Sequence, residues 1–201
     1  MQWIESDAAS CRREEPALDQ MISVFRYEGE KDESFVSHYR WTLTAYETAR
    51  RAHEGQKDKG GRPYFYHPLS VCHILNGVSA YDPRLLTDAF FETPIYLKDV
   101  RDCDLMSIAL LHDVLEDTSV TGPKIRNLFG DEIAEAVLSV TRREGEDYMD
   151  FIARAKQNPI GRTVKLADLY HNMDLSRIPD PQPRDFERLE KYRQAEKLLL
   201  S

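Results

Sequence analysis

The sequence predicts an all-α protein, a helical bundle with at most one short β-hairpin. Apolar residues recur at spacings of three and four along nearly the whole chain, and no alternating apolar and polar run of useful length appears. Helix start and stop residues also punctuate that pattern. With 201 residues, 41% of them hydrophobic, the chain can bury a core of ordinary size.

Taken in order, Leu18, Met21, Ile22 and Phe25 give a helix over 17–27, and EGEKDES after it reads as a loop ending at Ser34. Phe35, Tyr39, Leu43, Tyr46 and Ala49 give the next helix. The glycine loop GQKDKGGRP follows and is the one place for a hairpin. Pro68 suits a first helical turn, so His67 stands at the N-terminus of a helix running to about Val78. A further helix is expected near 84–92, with KDVRDCD as a polar connector. Asp104 reads as the cap of a helix continuing to Asp117. Thr121 with Pro123 starts a segment that ends at Gly130, and Asp131 caps another carrying Ile133, Ala136, Val137 and Val140. Asn158-Pro159 precedes a helix from about Gly161 to Ser176, PDPQPRD ends it, and Phe186, Leu189, Tyr192, Ala195 and Leu199 mark a last helix. The expected division is an extension over 1–33 with one helix, a core domain over 34–178, and a C-terminal helix over 179–201 packed on it.

With 27 Lys+Arg against 35 Asp+Glu, the formal charge is −8. That excludes broad wrapping of duplex nucleic acid, which needs clustered cations, but allows a small anionic ligand in a local basic pocket. No run approaches the ~18–20 apolar residues that span a bilayer, and the first residues lack a signal-peptide layout, so a cytoplasmic protein is expected. Cys11, Cys72 and Cys103 cannot all pair within the chain and read as free thiols.

The chemistry concentrates in four residues: His67, the adjacent His112-Asp113 pair, and Asp168. Two imidazoles and two carboxylates can hold a divalent cation and leave positions for water and substrate oxygens, a mixture that suits Mn²⁺ better than a closed structural zinc site. His112 and Asp113 follow the apolar run IALL directly, where charged groups need partners or a metal. On a continuous helix, Glu116 and Asp117 stack one turn beyond them and oppose the macrodipole unless a cation or a proton intervenes. Lys165, Asp168 and Asn172 share one helix face, where Lys165 and Asp168 read equally well as an ordinary exposed pair.

The segments AHEGQKDKGGRPYFYHPLSV, ALLHDVLEDT and VKLADLYHNM resemble, in order, the motifs of the HD-domain hydrolases of the RelA/SpoT family, small alarmone hydrolases included, over roughly residues 40–176. The resemblance implies an HD-domain helical bundle, a Mn²⁺ ion, and removal of the 3′-pyrophosphate from guanosine tetra- or pentaphosphate, with adenosine alarmones as further substrates. It implies His67, His112, Asp113 and Asp168 as metal ligands and Glu116 and Asp117 as the catalytic acidic pair. Asn172 matches a substrate-side Asn, Lys59 and Tyr64 match positions lining the nucleotide pocket, and Thr141 resembles a base-contacting Thr. Lys57, Lys59, Arg62 and Lys165 then offset pyrophosphate charge.

One departure stands out: Asp58 occupies the family's usual Arg position, so it must turn away from the substrate or the substrate must be held differently, with Lys57 and Arg62 as replacements. The segment between Val78 and Asp104 is also longer than usual. His53 is expected to make a structural hydrogen bond. His171, turned about 100° from Asn172 on an ideal helix, is expected to support or pack. No synthetase region is expected, since the chain stops about 25 residues after the third segment.

The alternative is an antitoxin that neutralises a small alarmone synthetase, or a toxic enzyme acting on tRNA ends, by hydrolysis or by direct binding. An HD-type nucleotidase acting on 5′-monophosphates shares the metal residues but has no use for the basic loop.

Overall fold

The computed structural model describes residues 25–27, 32–76 and 95–201. The expected helix over 84–92, Cys11 and most of the helix expected over 17–27 lie outside them.

The described residues are mainly helical. Helix α1 (Glu33–Ala52) begins at Asp32, whose carboxylate accepts from Phe35 N at 2.7 Å, rather than at Ser34. Its buried positions Phe35, Thr42, Ala45 and Ala49 follow the helical period and face α3 (Val100–Leu111). Small residues at Ala45 and Ala49 let the two helices approach, and Thr42 is satisfied inside the contact by Cys103 O at 3.0 Å. On α3, Ile108, Leu110 and Leu111 are fully buried, each worth roughly 1.5–3 kcal/mol relative to exposure. Helix α2 (Tyr66–Leu75) packs on the same α3.

Three expectations are corrected here. Phe25–Tyr27, the end of the expected first helix, is a strand (β1) paired in parallel with β2 (Ile95–Leu97), so the sheet is a long-range parallel pair and not a hairpin. Its cause is burial: Phe25, Ile95 and Leu97 are fully enclosed, and Phe25 sets its ring edge-on to Tyr46. Three residues carry no usable period, so helical spacing and strand are indistinguishable locally. Second, the connector KDVRDCD is the start of α3. Asp99 caps it, accepting from Arg101 N and Asp102 N, while Asp104 lies inside, buried against His38 Nδ1 at 2.5 Å. Third, the helix expected to run through Asp117 stops at Leu111, and Val114–Asp117 forms a separate turn, α4.

Helix α5 (Gly122–Val140) bends at Gly130, whose φ of 81° requires glycine, which is where the sequence divides it into two segments. Helix α6 (Tyr148–Gln157), for which no expectation was drawn, is capped by Asp147 and buries Tyr148, Phe151, Ile152 and Ala155. Helix α7 (Pro159–Met173) starts as Asn158-Pro159 indicates, and a 3₁₀ turn (Leu175–Arg177) leads toward α8 (Pro183–Leu200). A main core joins α1, α2, α3 and α5; a second one joins α6, α7 and α8 through Phe151, Leu169, Ala195 and Leu199. Helix α7 contributes to both, and the site lies where it meets α2 and the break after α3. Among the described residues, no helix is long and apolar enough to cross a membrane.

Candidate active site

His67, His112, Asp113 and Asp168 come from three elements and meet at one point. His67 is the second residue of α2, His112 and Asp113 form the break between α3 and α4, and Asp168 sits on the inward face of α7. His67 Nε2 lies 3.2 Å from His112 Nε2, 3.2 Å from Asp113 Oδ2 and 3.1 Å from Asp168 Oδ1. His112 Nε2 is 3.2 Å from Asp113 Oδ2 and 3.7 Å from Asp168 Oδ1.

Donors about 2.1 Å from one ion stand roughly 3.0–3.5 Å apart; every spacing but the 3.7 Å from His112 to Asp168 falls in that range, so His67, His112 and Asp168 can share a divalent cation, with Asp113 against both imidazoles. Hydrogen bonding around the donors agrees. His112 Nδ1 donates to Ala109 O at 2.7 Å, and since a carbonyl only accepts, a neutral ring there keeps its lone pair on Nε2, facing the centre. Asp168 is braced on both oxygens, by Lys165 Nζ at 2.7 Å on Oδ2 and by Asn172 Nδ2 at 2.5 Å on Oδ1. The side chains of Lys165 and Asp168 are 13% and 4% exposed, which decides against an ordinary solvated pair.

The electrostatics demand positive charge at this point. Burial alone pushes the imidazoles of His67 and His112 down, but the carboxylates of Asp113 and Asp168 outweigh it and hold both above the usual value. Burial likewise opposes ionisation of the two carboxylates, yet His112 beside Asp113, and Lys165 beside Asp168, keep them well below the usual range. A divalent cation meets the same demand with the imidazoles neutral.

Glu116 and Asp117 project from α4 at the edge of this cluster. Because α4 is a separate turn and not the end of a long helix, Glu116 N and Asp117 N both bond to Asp113 O. Glu116 Oε1 accepts the backbone N–H of Arg142, while burial pushes its carboxyl up. The 142–146 loop that supplies this amide is held by Arg154, which donates to Leu138 O, Ser139 O and Thr141 O and forms a two-point pair with Glu146 at 2.8 and 2.7 Å. Tyr64 OH lies 2.7 Å from Asp113 Oδ2 and 3.2 Å from Asp117 Oδ2, linking the two carboxylates.

The cluster forms the floor of a cavity of about 370 Å³. Of the sequence-predicted residues, Lys57, Lys59, Tyr64, His67, Asp113, Glu116, Asp117, Lys165, Asp168 and Asn172 line it, with His112 just beneath. Arg62 and Thr141 are not part of that wall. Arg62 lies over the Tyr66 ring at 5.0 Å, and Thr141 Oγ1 donates to Val137 O at 2.8 Å. His53 makes the expected structural bond, Nδ1 to Gln56 Oε1 at 2.8 Å.

The loop does form a hairpin-like turn, with Lys57 bridged to Pro63 in antiparallel register. Asp58 is folded back into it: Oδ1 accepts Arg62 N at 2.9 Å, and Oδ2 stands 3.9 Å from Arg177 Nη1. At Gly60, a Cβ would lie 2.6 Å from Arg177 O, so the close approach of loop and 3₁₀ turn requires glycine. The far wall comes from residues that sequence reading missed: Leu175, Arg177, Ile178, and Asp185, Arg188 and Tyr192 of α8. Arg188 and Tyr192 share a face at i and i+4, a signal read only as the amphipathic period of the helix.

A helical fold in which three elements bring a His, an adjacent His-Asp pair and an Asp to one buried point is that of the HD domain. Residues 45–169 match that family's profile, and the chain belongs to the HD domain family. It is 32% identical over 140 residues to the bifunctional (p)ppGpp synthase/hydrolase SpoT of Escherichia coli, covering 64% of this chain and 17% of that protein. It is 30% identical over 153 residues to the guanosine-3′,5′-bis(diphosphate) 3′-pyrophosphohydrolase of Aquifex aeolicus, covering 70% and 19%. The chain thus spans less than a fifth of the length of these relatives. A solved structure of a metazoan ortholog of SpoT that hydrolyzes ppGpp superposes with a TM-score of 0.56 at 20% identity, over 86% of this chain and 88% of that one. That likeness bears on the fold.

Proposed function

We propose that this chain removes the 3′-pyrophosphate of guanosine tetra- or pentaphosphate, giving GDP or GTP and pyrophosphate, with Mn²⁺ as its metal. The observation that carries the reading is the meeting of His67, His112 and Asp168, with Asp113 3.2 Å from both imidazoles, beside Glu116 and Asp117 on the floor of one cavity. The names borne by its relatives in the same region support the substrate.

His67, His112, Asp113 and Asp168 would hold the cation, which when bound would lower the pKa of a water toward neutrality and offset phosphate charge. Glu116, raised above the usual carboxylate range, takes or returns a proton on the attacking water, and its bond to Arg142 N fixes the direction of its carboxylate. Asp117 sits beside it to orient that water. Lys165 and Asn172 hold Asp168 in place and face the pyrophosphate, and Tyr64 anchors Asp113. Lys57 and Lys59 of the glycine loop and Arg177 and Arg188 of the far wall line the same cavity and suit the remaining phosphates. Arg62 and Thr141 act from outside that wall, Arg62 by closing the glycine turn and Thr141 by ending α5. Nothing in the geometry or the comparisons favours the antitoxin alternative.

The test is turnover of guanosine and adenosine tetraphosphates by the full chain with Mn²⁺, with products separated by ion exchange. GDP and pyrophosphate from the guanosine compound are expected. Inactivity toward both, or orthophosphate as the released product, overturns the proposal.

A further inference from the structure

His171 takes no part in the chemistry above. Its Nδ1 nevertheless lies 2.6 Å from Nδ1 of His67, the rings 4.8 Å apart between centroids and tilted by 30°, with both residues buried. Two ring nitrogens at that distance share one proton, so one donates and the other accepts.

The other nitrogen of His67 decides which. His67 Nε2 faces His112 Nε2, Asp113 Oδ2 and Asp168 Oδ1, all within 3.1–3.2 Å. A neutral imidazole carries a single N–H, and an Nε2 that gives its lone pair to a cation cannot hold it. The proton must then stand on Nδ1, where His171 Nδ1 is placed to accept it. His112 solves the same problem differently, through a backbone carbonyl that can only accept. Helix α7 therefore supplies one ligand outright, Asp168, and three residues later the partner of a ligand carried by another helix.

We propose that His171 is a positioning residue of the metal centre: by accepting the Nδ1 proton of His67, it fixes the tautomer and ring orientation that present His67 Nε2 to a divalent cation. The inference rests on the reading of the four-residue cluster as a cation site. Its substitution acts on metal affinity, where loss of such an outer partner typically costs about 10–100-fold.

The full chain is titrated with Mn²⁺ alone, free Mn²⁺ being followed by electron paramagnetic resonance, for wild type, His171→Leu and His171→Gln. Leucine removes the acceptor and is expected to weaken binding about 10–100-fold. Glutamine, whose Oε1 can accept the same proton, is expected to recover most of it. Equal affinity of wild type and His171→Leu overturns the proposal and leaves the cation site standing. Failure of wild type to bind Mn²⁺ removes the site and the proposal together. Should His171→Leu not fold, ¹⁵N spectra of the zinc-loaded wild type decide: a protonated His67 Nδ1 coupled to an unprotonated His171 Nδ1 is expected, and the proton on His171 Nδ1 overturns the assignment.

Discussion

Lys59 in the glycine loop and Asp185 in the first turn of α8 form an ion pair that joins the two walls of the cavity. Asp185 is only 4% exposed, and its second oxygen accepts Gln182 N at 3.0 Å, so one carboxylate both caps the last helix and ties the loop to it. Asp185→Asn keeps an oxygen for Gln182 N and removes the charge. Because Lys59 is partly exposed, the stability loss should be small, less than for a fully buried pair. The Lys59 ammonium, released into a cavity with one negative charge fewer, should lower KM for guanosine tetraphosphate several-fold at nearly unchanged kcat. Steady-state kinetics with a parallel urea melt check this, and a raised KM counts against Lys59 as a phosphate contact.

Glu116→Gln preserves an acceptor for Arg142 N and removes the proton-transfer group. A fall in kcat of about 10²–10⁴ with an unchanged melting temperature is expected. A kcat within a few-fold of wild type assigns the proton transfer elsewhere.

Metal binding should register as stability. At a Mn²⁺ concentration of about 100 Kd the native state gains about 2.7 kcal/mol, which for a chain of this size raises Tm by roughly 5–10 °C. Calorimetry in Mn²⁺ and in chelator should show that rise in wild type and none in His112→Ala, where a donor is missing.

His73 gives a pH signature remote from the chemistry. Burial in α2 lowers its imidazole to about 4, whereas in the unfolded chain it titrates near 6.5. The unfolded state therefore binds more protons between those values, and the native state is penalised progressively as pH falls from about 6.5 to about 4. Relative to His73→Leu, wild type should lose about 3 kcal/mol over that window and nothing above it. Urea melts at pH 7 and pH 4.5 measure the difference; a constant gap between the two proteins across that range refutes the neutral buried state.

Much of the site was legible because its donors sit at strong local signals. His67 precedes a proline that starts a helix, His112-Asp113 ends an apolar run, and Asp168 shares a face with Lys165 and Asn172. Spacing could not reveal that α3 breaks at His112, because the run reads as one helix until the loop after α5 supplies Arg142 N to Glu116. Asp58 shows the same limit: its residue type announced a conflict with an anionic substrate, and its folded-back bond to Arg62 N came only from the closed turn.

By itself, the sequence determined most of the helices, α6 and the ends of α3 apart, and which side chains have the chemistry for a cation and a pyrophosphate, because periodicity, caps and residue type are local properties. The tertiary structure decided what depends on distant partners. It turned Phe25–Tyr27 into a strand by pairing it with Ile95–Leu97, placed Arg188 and Tyr192 of α8 on the cavity wall, and set His171 against His67. Those outcomes turn on burial and on hydrogen bonds between segments up to about a hundred residues apart, which no local pattern encodes.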